Sequence, residues 1–479
     1  MTLDQQIDAA VKPLNDVVNA VVFYPLPLPG GAEVPFIVAW LVLAGLFATF
    51  YTGFVGLRHF AHGWDLSFNP KHQVADATKK GEISNFQALA GALAGTIGLG
   101  NIAGVAVALS VGGPGATFWM ILMGFLGMNT KFMEATLGVK YREQQADGQL
   151  AGGPSFFLQN GLRELGMPKL GKFLAACFAV FMIVACLGGG NMFQVNQTFE
   201  QFLQITGGAE SFWADKGWLF GAINALLAGV IIIGGLKKVA GVSSWLVPLM
   251  AIVYIAASLV VIMVHIDKLP WAVQQIVSHA FSFEAGLGGF LGAIIQGVRR
   301  AVFSNESGIG TCAIIHGVAR STHPAQQGMV AMLGAFLDTV VVCTMTALVI
   351  IITGSLETAE AGKMSGMALT NQAFTSVMPW FSYVLFVVVF MFAFSTIIGY
   401  GYYAEVALRY LFGANRAIHL TFCVVYCLTC IVGASANLAN IIDFSDGLFF
   451  LLAIPNVIGL VLLRKVVRAE YERYKVTIQ

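Results

Sequence analysis

Runs of about twenty consecutive apolar residues, the length a helix needs to cross the hydrocarbon core of a bilayer, recur along this chain and leave little room for anything else. They fall near residues 35–57, 84–110, 115–138, 172–204, 218–236 and 244–265, and again near 287–318, 327–353, 380–404, 418–437 and 446–464. In lipid every backbone N–H and C=O must be satisfied within the protein, so the series predicts helices and excludes open sheets. Composition agrees: 57% of the 479 residues are hydrophobic and 11% charged, against about 25% charged in a soluble domain. The chain therefore reads as an all-α integral membrane protein of about eleven transmembrane helices. The first 33 residues lack the basic stretch and cleavage site of a signal peptide, so the first span is expected to be retained. All seven cysteines lie in apolar stretches and read as small packing residues. Cys427 and Cys430 spell CxxC, with no His or carboxylate within a turn.

Orientation follows from where Lys and Arg fall, because cytoplasmic segments collect them. With the N-terminus outside and the C-terminus inside, the outer segments hold Lys12, Lys216, Lys268 and Lys363. The inner segments hold most of the rest, from Arg58, Lys71, Lys79 and Lys80 to Arg464, Lys465, Arg468, Arg473 and Lys475. The expected division is an extracytoplasmic segment 1–34, a peripheral helix 35–57, a cytoplasmic loop 58–83, a first five-helix repeat 84–265, an outer loop 266–286, a second five-helix repeat 287–464 and a cytoplasmic tail 465–479. The expected setting is the lipid bilayer of the plasma membrane, with no nucleic-acid partner.

Two of the runs are interrupted. In the second, Gly91, Gly95, Gly98, Gly100 and Gly104 surround Thr96 and Asn101, and each Gly weakens a helix by about 1 kcal/mol relative to Ala. Either the glycines let helices approach through small-xxx-small spacing, or the helix breaks. The seventh reads QGVRRAVFSNESGIGT at 296–311. Its polar groups fit an interfacial loop or irregular backbone enclosed by protein; the loop would shift every later span and destroy the charge asymmetry. With the first span set aside, spans two to six and seven to eleven make two sets of five, each opening on an interrupted helix. That is the pattern of a five-plus-five inverted repeat with discontinuous helices plus one extra N-terminal helix, its site at mid-membrane. Half-helix N-termini there attract an anionic group and freed carbonyls hold a cation, which suits a zwitterion.

Other polar groups fall within the spans. Asn191 and Gln194, three apart in GGGNMFQ, are expected on one helical face, lining the cavity or tying helices together. The hydroxyls of Ser395 and Thr396 either ligate a small cation or bond back to their own helix. Asp338 is a functional candidate as an intramembrane carboxylate, with sodium, Arg299 or Arg300 as expected partners. Glu306 is expected to cap the broken seventh helix or to pair with one of those arginines. Lys131 and Glu134 are expected to pair at i,i+3 with stems reaching toward water.

The segments AGTIGLGNIAGVAVALSVGGPGATFWM at 94–120, GGPSFF at 152–157, GGGNMFQVNQ at 188–197, RRAVFSNESGIGTCAIIHGVAR at 299–320 and QQGMVAMLGAFLDTVVVCTMTALVII at 326–352 together resemble the sodium:alanine and sodium:glycine symporters of the amino-acid:cation symporter class. That family is similar to the leucine-transporter fold, with ten core helices and one additional N-terminal helix. The resemblance implies sodium-coupled import of a small neutral amino acid, alanine or glycine, by alternating access, with sodium as coupling ion and no other cofactor. It implies that Gly98, Leu99, Gly100 and Asn101 offer backbone N–H groups to the substrate carboxylate. Thr96 would stand where a carbonyl faces the amine or an ion, and Phe303, Ser304 and Asn305 would supply matching contacts. The carbonyls of Ala94, Ile97 and Phe392 with the hydroxyls of Ser395 and Thr396 would form one sodium site. Asn101 would serve a second ion site; on the reading of the residues themselves, Asp338, Glu306, Arg299 and Arg300 join it as candidates for that site or for a charge network. The chain departs from the family pattern at Ile121, in GGPSFF, and at Ser307, Thr311 and Cys312, which bears on the preferred amino acid.

The eight histidines fall mostly in loops or near span ends without an HExxH pattern, so no enzymatic activity is expected. The readings set against sodium symport are a proton-coupled carrier titrating Asp338 or Glu306 and, in a different class, a channel, although channels commonly build their filters by symmetry between subunits.

Overall fold

The computed structural model describes residues 16–478 apart from 29–30, 74–80, 146–147, 234, 283–285, 359–365 and 437. Lys12, Lys79, Lys80 and Lys363, used above for orientation, and most of the expected segment 1–34 lie outside the described residues. The helices that build the centre are α1 (Phe36–Thr52), α2 (Asn85–Thr96), α3 (Ala103–Gly112), α4 (Ala116–Lys140), α5 (Pro168–Leu187), α6 (Phe193–Thr206), α7 (Gly217–Ile232), α8 (Gly235–Val264), α9 (Gly286–Asn305), α10 (Cys312–Gly317), α11 (Pro324–Ala335), α12 (Thr344–Ile352), α13 (Phe381–Phe412), α14 (Arg416–Ser435), α15 (Leu438–Leu451), α16 (Ala453–Leu462) and α17 (Arg464–Ile478). Among the described residues strands are confined to short antiparallel pairs, Pro25–Pro27 with Glu33–Pro35 and Glu143–Gln144 with Leu150–Ala151.

Among the described residues six helical segments are long and apolar enough to cross a membrane, and a seventh is added if the bent pair α2 and α3 counts as one span. The runs read as spans near 35–57, 115–138, 218–236 and 287–318 coincide with α1, α4, α7 and the α9–α10 pair, which are shorter or less apolar. Leu226, Ile252 and Met263 stand exposed on this framework. So many large apolar side chains facing outward mark the lipid-facing surface of a multi-pass membrane protein.

Both expected interruptions are present, one of them displaced. α2 opens on a capping box in which Gln87 N–H donates to Ser84 Oγ at 3.2 Å and Ser84 N–H to Gln87 Oε1 at 3.0 Å. It ends at Thr96; one tight turn, Leu99–Asn101, intervenes, and the axis resumes bent by 62°. In the seventh run the helix continues through Phe303, Ser304 and Asn305, and Glu306 N–H still donates to Val302 O at 2.9 Å. The chain leaves the helix only at Glu306, Gly308 and Gly310, with φ of 58°, 89° and 95°. Left-handed backbone costs a side-chain-bearing residue roughly 1–2 kcal/mol, and at Glu306 the carboxylate is held by Tyr400 Oη and Thr311 Oγ1.

The fourth and eighth runs, read as continuous, each contain a π-helical segment, Gly188–Met192 between α5 and α6 and Phe336–Cys343 between α11 and α12. The inserted residues rotate everything beyond them to a new face. The stretch read as an outer loop at 266–286 contains the helix Leu269–Ala280, and 58–83 contains Phe60–Phe68. α17 docks back on the body through Tyr471 Oη to His59 Nε2 at 2.9 Å, Tyr474 Oη to His62 Nε2 at 2.8 Å and Lys140 Nζ to Glu470 at 2.8 Å.

Glycines set the closest approach between α4 and α10. A Cβ added at Gly138 would stand 2.5 Å from Ala313 O, whereas one at Gly241 on α8 meets nothing within 4 Å. Overpacking of this kind costs about 1–3 kcal/mol. Gly138→Val is expected to lower the detergent-solubilised Tm by several degrees, and Gly241→Ala to leave it unchanged or raise it; fluorescence-monitored melting checks both.

Candidate functional site

The first break frees backbone groups that an intact helix would consume. Gly98 N–H, which in a continuous helix would donate to Ala94 O, instead donates to Thr96 O at 2.8 Å and to Asn101 Oδ1 at 3.0 Å. Asn101 N–H, which would donate to Ile97 O, donates to Gly98 O at 3.2 Å. The carbonyls of Ala94 and Ile97 thus lose their i+4 donors. α13 runs beside them: a Cβ at Gly399 would lie 3.3 Å from Gly95 N and 3.7 Å from the Ala94 carbonyl carbon, and one at Gly98 would lie 2.5 Å from Thr396 Oγ1. Ser395 Oγ and Thr396 Oγ1 both donate to Phe392 O, at 2.8 and 3.1 Å. A hydroxyl that donates backward keeps lone pairs for a cation.

Of the N–H groups expected to face a substrate carboxylate, those of Gly98, Leu99 and Asn101 have acceptors in this state. Gly98 N–H is capped by Asn101, and Leu99 N–H donates to Gln194 Oε1 at 2.9 Å. Gln194 is anchored in turn by its Nε2, which donates to Gly189 O at 2.9 Å. Asn191, expected on the same face, points elsewhere: its Nδ2 donates to Tyr426 O at 2.7 Å and Thr429 Oγ1 at 3.0 Å, tying α14 to the π segment. The π turn separates the two amides, so Gln194 belongs to the site and Asn191 to the helix packing. Thr96 Oγ1 is buried with no hydrogen-bonding partner among the described residues.

Asp338 joins the two interrupted helices. Asn101 Nδ2 from the first break donates to its Oδ1 at 2.7 Å, and Ser304 Oγ from the last turn of α9 donates to its Oδ2 at 2.6 Å. Thr339 Oγ1 adds a third bond at 2.8 Å and itself accepts from Asn305 Nδ2 at 2.9 Å. Asp338 therefore pairs with neither arginine. Arg299 and Arg300 both donate to Asp446 Oδ2, Arg299 at 2.8 Å, and lie over the rings of Phe23 and Phe303. Glu306 likewise has no arginine, only Tyr400 and Thr311. The expected i,i+3 pair of Lys131 and Glu134 is not made, and neither side chain reaches water: both are fully buried. Glu134 accepts from Gly308 N–H at 2.9 Å, Asn456 Nδ2 at 2.8 Å and Cys312 Sγ at 3.1 Å.

Between these groups lies a cavity with about 10 Å³ of free space, lined by Gly95, Thr96, Gly98, Gly100, Gly189, Gln194, Phe303, Glu306, Thr396, Tyr400 and Phe449. Phe303 forms one wall of it. Its ring packs edge-on against Phe193 at 5.3 Å, and a Cβ at Gly100 or Gly189 would sit 3.2 or 3.3 Å from it. Tyr400, Asn456 and Asp446 were not singled out from the sequence. Asp446 carries a signal that could have found it, an acidic residue within the apolar run 446–464; Tyr400 and Asn456 carry none.

The sequence profile described as the sodium:alanine symporter family matches residues 30–479 of the chain. The sodium/alanine symporter AgcS of Methanococcus maripaludis is 40% identical over 441 residues, covering 92% of this chain and 94% of AgcS. The probable sodium/glutamine symporter GlnT of Bacillus subtilis is 33% identical over 402 residues, 84% of this chain and 80% of GlnT. A putative sodium/proton-dependent alanine carrier of the same organism, YrbD, is 37% identical over 341 residues, 69% of this chain and 67% of its own. With a match across nearly its whole length and two broken helices tied together at its centre, the chain belongs to the sodium:alanine symporter family and is a membrane transporter.

Proposed function

We propose that the chain imports a small neutral amino acid, alanine or glycine, together with sodium across the plasma membrane by alternating access. The observation that supports this reading is the meeting of the two broken helices around a cavity lined by four glycines and Phe303, closed in this state to about 10 Å³ of free space. The substrate carboxylate meets the N–H groups of the GLGN turn, Gly98 to Asn101, displacing Gln194 from Leu99. The ammonium faces Thr96 and the end of α9, with Phe303, Ser304 and Asn305 closing the site. Sodium is held by the freed carbonyls of Ala94 and Ile97, the carbonyl of Phe392 and the hydroxyls of Ser395 and Thr396, an all-oxygen set suited to a hard cation. The proposed architecture is eleven spans, α1 outside two five-helix repeats at 84–265 and 287–464, with the N-terminus outside and the C-terminus inside. The name of AgcS favours alanine.

In proteoliposomes an imposed inward sodium gradient is expected to drive uptake of radiolabelled alanine and glycine; uptake indifferent to sodium but driven by a proton gradient would overturn the coupling. Replacing both Ser395 and Thr396 with Ala is expected to raise the half-saturating sodium concentration at least tenfold while leaving the Tm within a few degrees, measured by uptake against sodium. Asp338→Ala leaves the donors of Asn101 and Ser304 unmet, at about 1–3 kcal/mol each. Uptake by that variant is expected to fall more than tenfold in protein that still purifies as a monodisperse species.

A further inference from the structure

Lys131 is fully buried on α4, and its Nζ has no hydrogen-bonding partner among the described residues. It is directed at α11, where a Cβ on Gly334 would stand 3.5 Å from the nitrogen. One turn earlier on the same face of α4, Gly127 packs against Ser307 Oγ, a second buried atom without a partner. The ammonium thus borders the segment that leaves the helix after Asn305. Three buried carboxylates bear on that same segment: Glu134, three residues further along α4, holds Gly308 N–H, Glu306 lies within it, and Asp338 holds Ser304 just before it.

Among the described residues each of those carboxylates is bonded only to neutral donors. Glu134 is met by a backbone N–H, an amide and a thiol, Glu306 by two hydroxyls, and Asp338 by an amide and two hydroxyls. Neutral donors fix the geometry of a carboxylate without cancelling its charge. Lys131 does the converse: it supplies charge to the cluster without orienting any one member. Burying charge without compensation is costly, and all three carboxylates grip the second break, Glu134 through Gly308, Glu306 from within it, and Asp338 through Ser304. Whatever cation balances them is therefore coupled to the element that must move.

We propose that Lys131 is a tethered countercharge standing in for one monovalent coupling ion, and that it thereby sets how many cations move with each amino acid. This rests on the sodium-symport reading above. Removing the ammonium leaves the cluster one negative charge richer, and the remedy open to a transporter in salt solution is to recruit a further sodium ion or proton.

The test uses the full chain in proteoliposomes, comparing wild type with Lys131→Met, which keeps the stem and deletes the charge, and Lys131→Arg, which keeps the charge. Parallel sodium, proton and alanine fluxes and the reversal potential give the cation-to-alanine ratio. Lys131→Met is expected to raise that ratio by one, seen as extra sodium or as newly coupled protons, and Lys131→Arg to keep the wild-type ratio. A wild-type ratio in Lys131→Met overturns the proposal. Should Lys131→Met yield too little protein for fluxes, its Tm in detergent is titrated with sodium and with pH. A steeper rise than wild type with added sodium or acid supports the countercharge, and parallel curves overturn it. Sodium-independent uptake by the wild type would instead sink the symport reading; intact wild-type symport with an unchanged variant ratio sinks only the role of Lys131.

Discussion

A carboxylate held out of water costs several kcal/mol unless its lone pairs are met, and Asp338 meets this constraint by drawing donors from both interrupted helices. Asn101 reaches it from the first break and Ser304 from the end of α9. Neither donor can be withdrawn without leaving the carboxylate short, so the relative position of the two half-helix pairs is fixed by hydrogen bonds at one point. The remainder of the centre follows from that point. Asn101, placed by Asp338, turns its own Oδ1 onto Gly98 N–H and shapes the GLGN turn. Thr346 Oγ1, one turn beyond the π segment, donates to Asn101 O at 2.8 Å and holds the turn from its other side. A π segment is what allows Phe336–Cys343 to place Asp338, Thr339 and Cys343 against the same pair of helices, because it shifts the register that an α-helix would impose.

The second break is held differently. Its turn is made by left-handed backbone at Glu306, Gly308 and Gly310, and Gly308 is clamped twice, its N–H by Glu134 and its C=O by Asn456 Nδ2 at 2.8 Å. Strain of this kind persists only where the surroundings over-determine it. A residue with a side chain occupies the left-handed position because its carboxylate is bonded on both oxygens, to Tyr400 and Thr311. The first break therefore yields free backbone groups, and the second is a fixed corner carrying buried charge.

The difference between what was legible in the sequence and what was not has a physical origin. Apolar runs and clustered glycines are local signals: they locate the first break to within a residue or two and the helix ends less closely, the run at 244–265 missing the first turns of α8 from Gly235 and that at 380–404 the last turns of α13 to Phe412. The polar run at 296–311 looks incompatible with a helix along its whole length; the backbone instead stays helical through Asn305, since those side chains find partners inside the protein, and breaks where dihedrals turn positive. Asn191 and Gln194 were assigned one face from their spacing of three, a rule that holds in an α-helix and fails across the π turn at Gly188–Met192. The arginines found Asp446, over a hundred residues away in sequence, and no periodicity reports such a pairing. Lys131 was expected to reach toward water because its stem is long; its burial is decided by α11, which packs against α4 and closes the path.

The state of the cavity bears on how the proposed substrate is recognised. Its free space of about 10 Å³ holds a single water molecule at most, and Leu99 N–H is already satisfied by a neutral amide oxygen. A substrate carboxylate that replaces Gln194 exchanges one hydrogen bond for another, so the number of bonds does not change and their kind does. A bond to an ionised acceptor is roughly twice as strong as one between neutral groups, and the same exchange returns Gln194 Oε1 to the cavity. Recognition on this reading draws on charge more than on contact area, and the limit on size is set separately by Phe303. The Phe303 ring lies close enough to Gly100 and Gly189 that a Cβ on either would crowd it at 3.2 or 3.3 Å, and Arg300 stands over the ring at 5.0 Å. Opening on the arginine's side has to move the ring and the arginine together, and Arg300 is bound to Asp446.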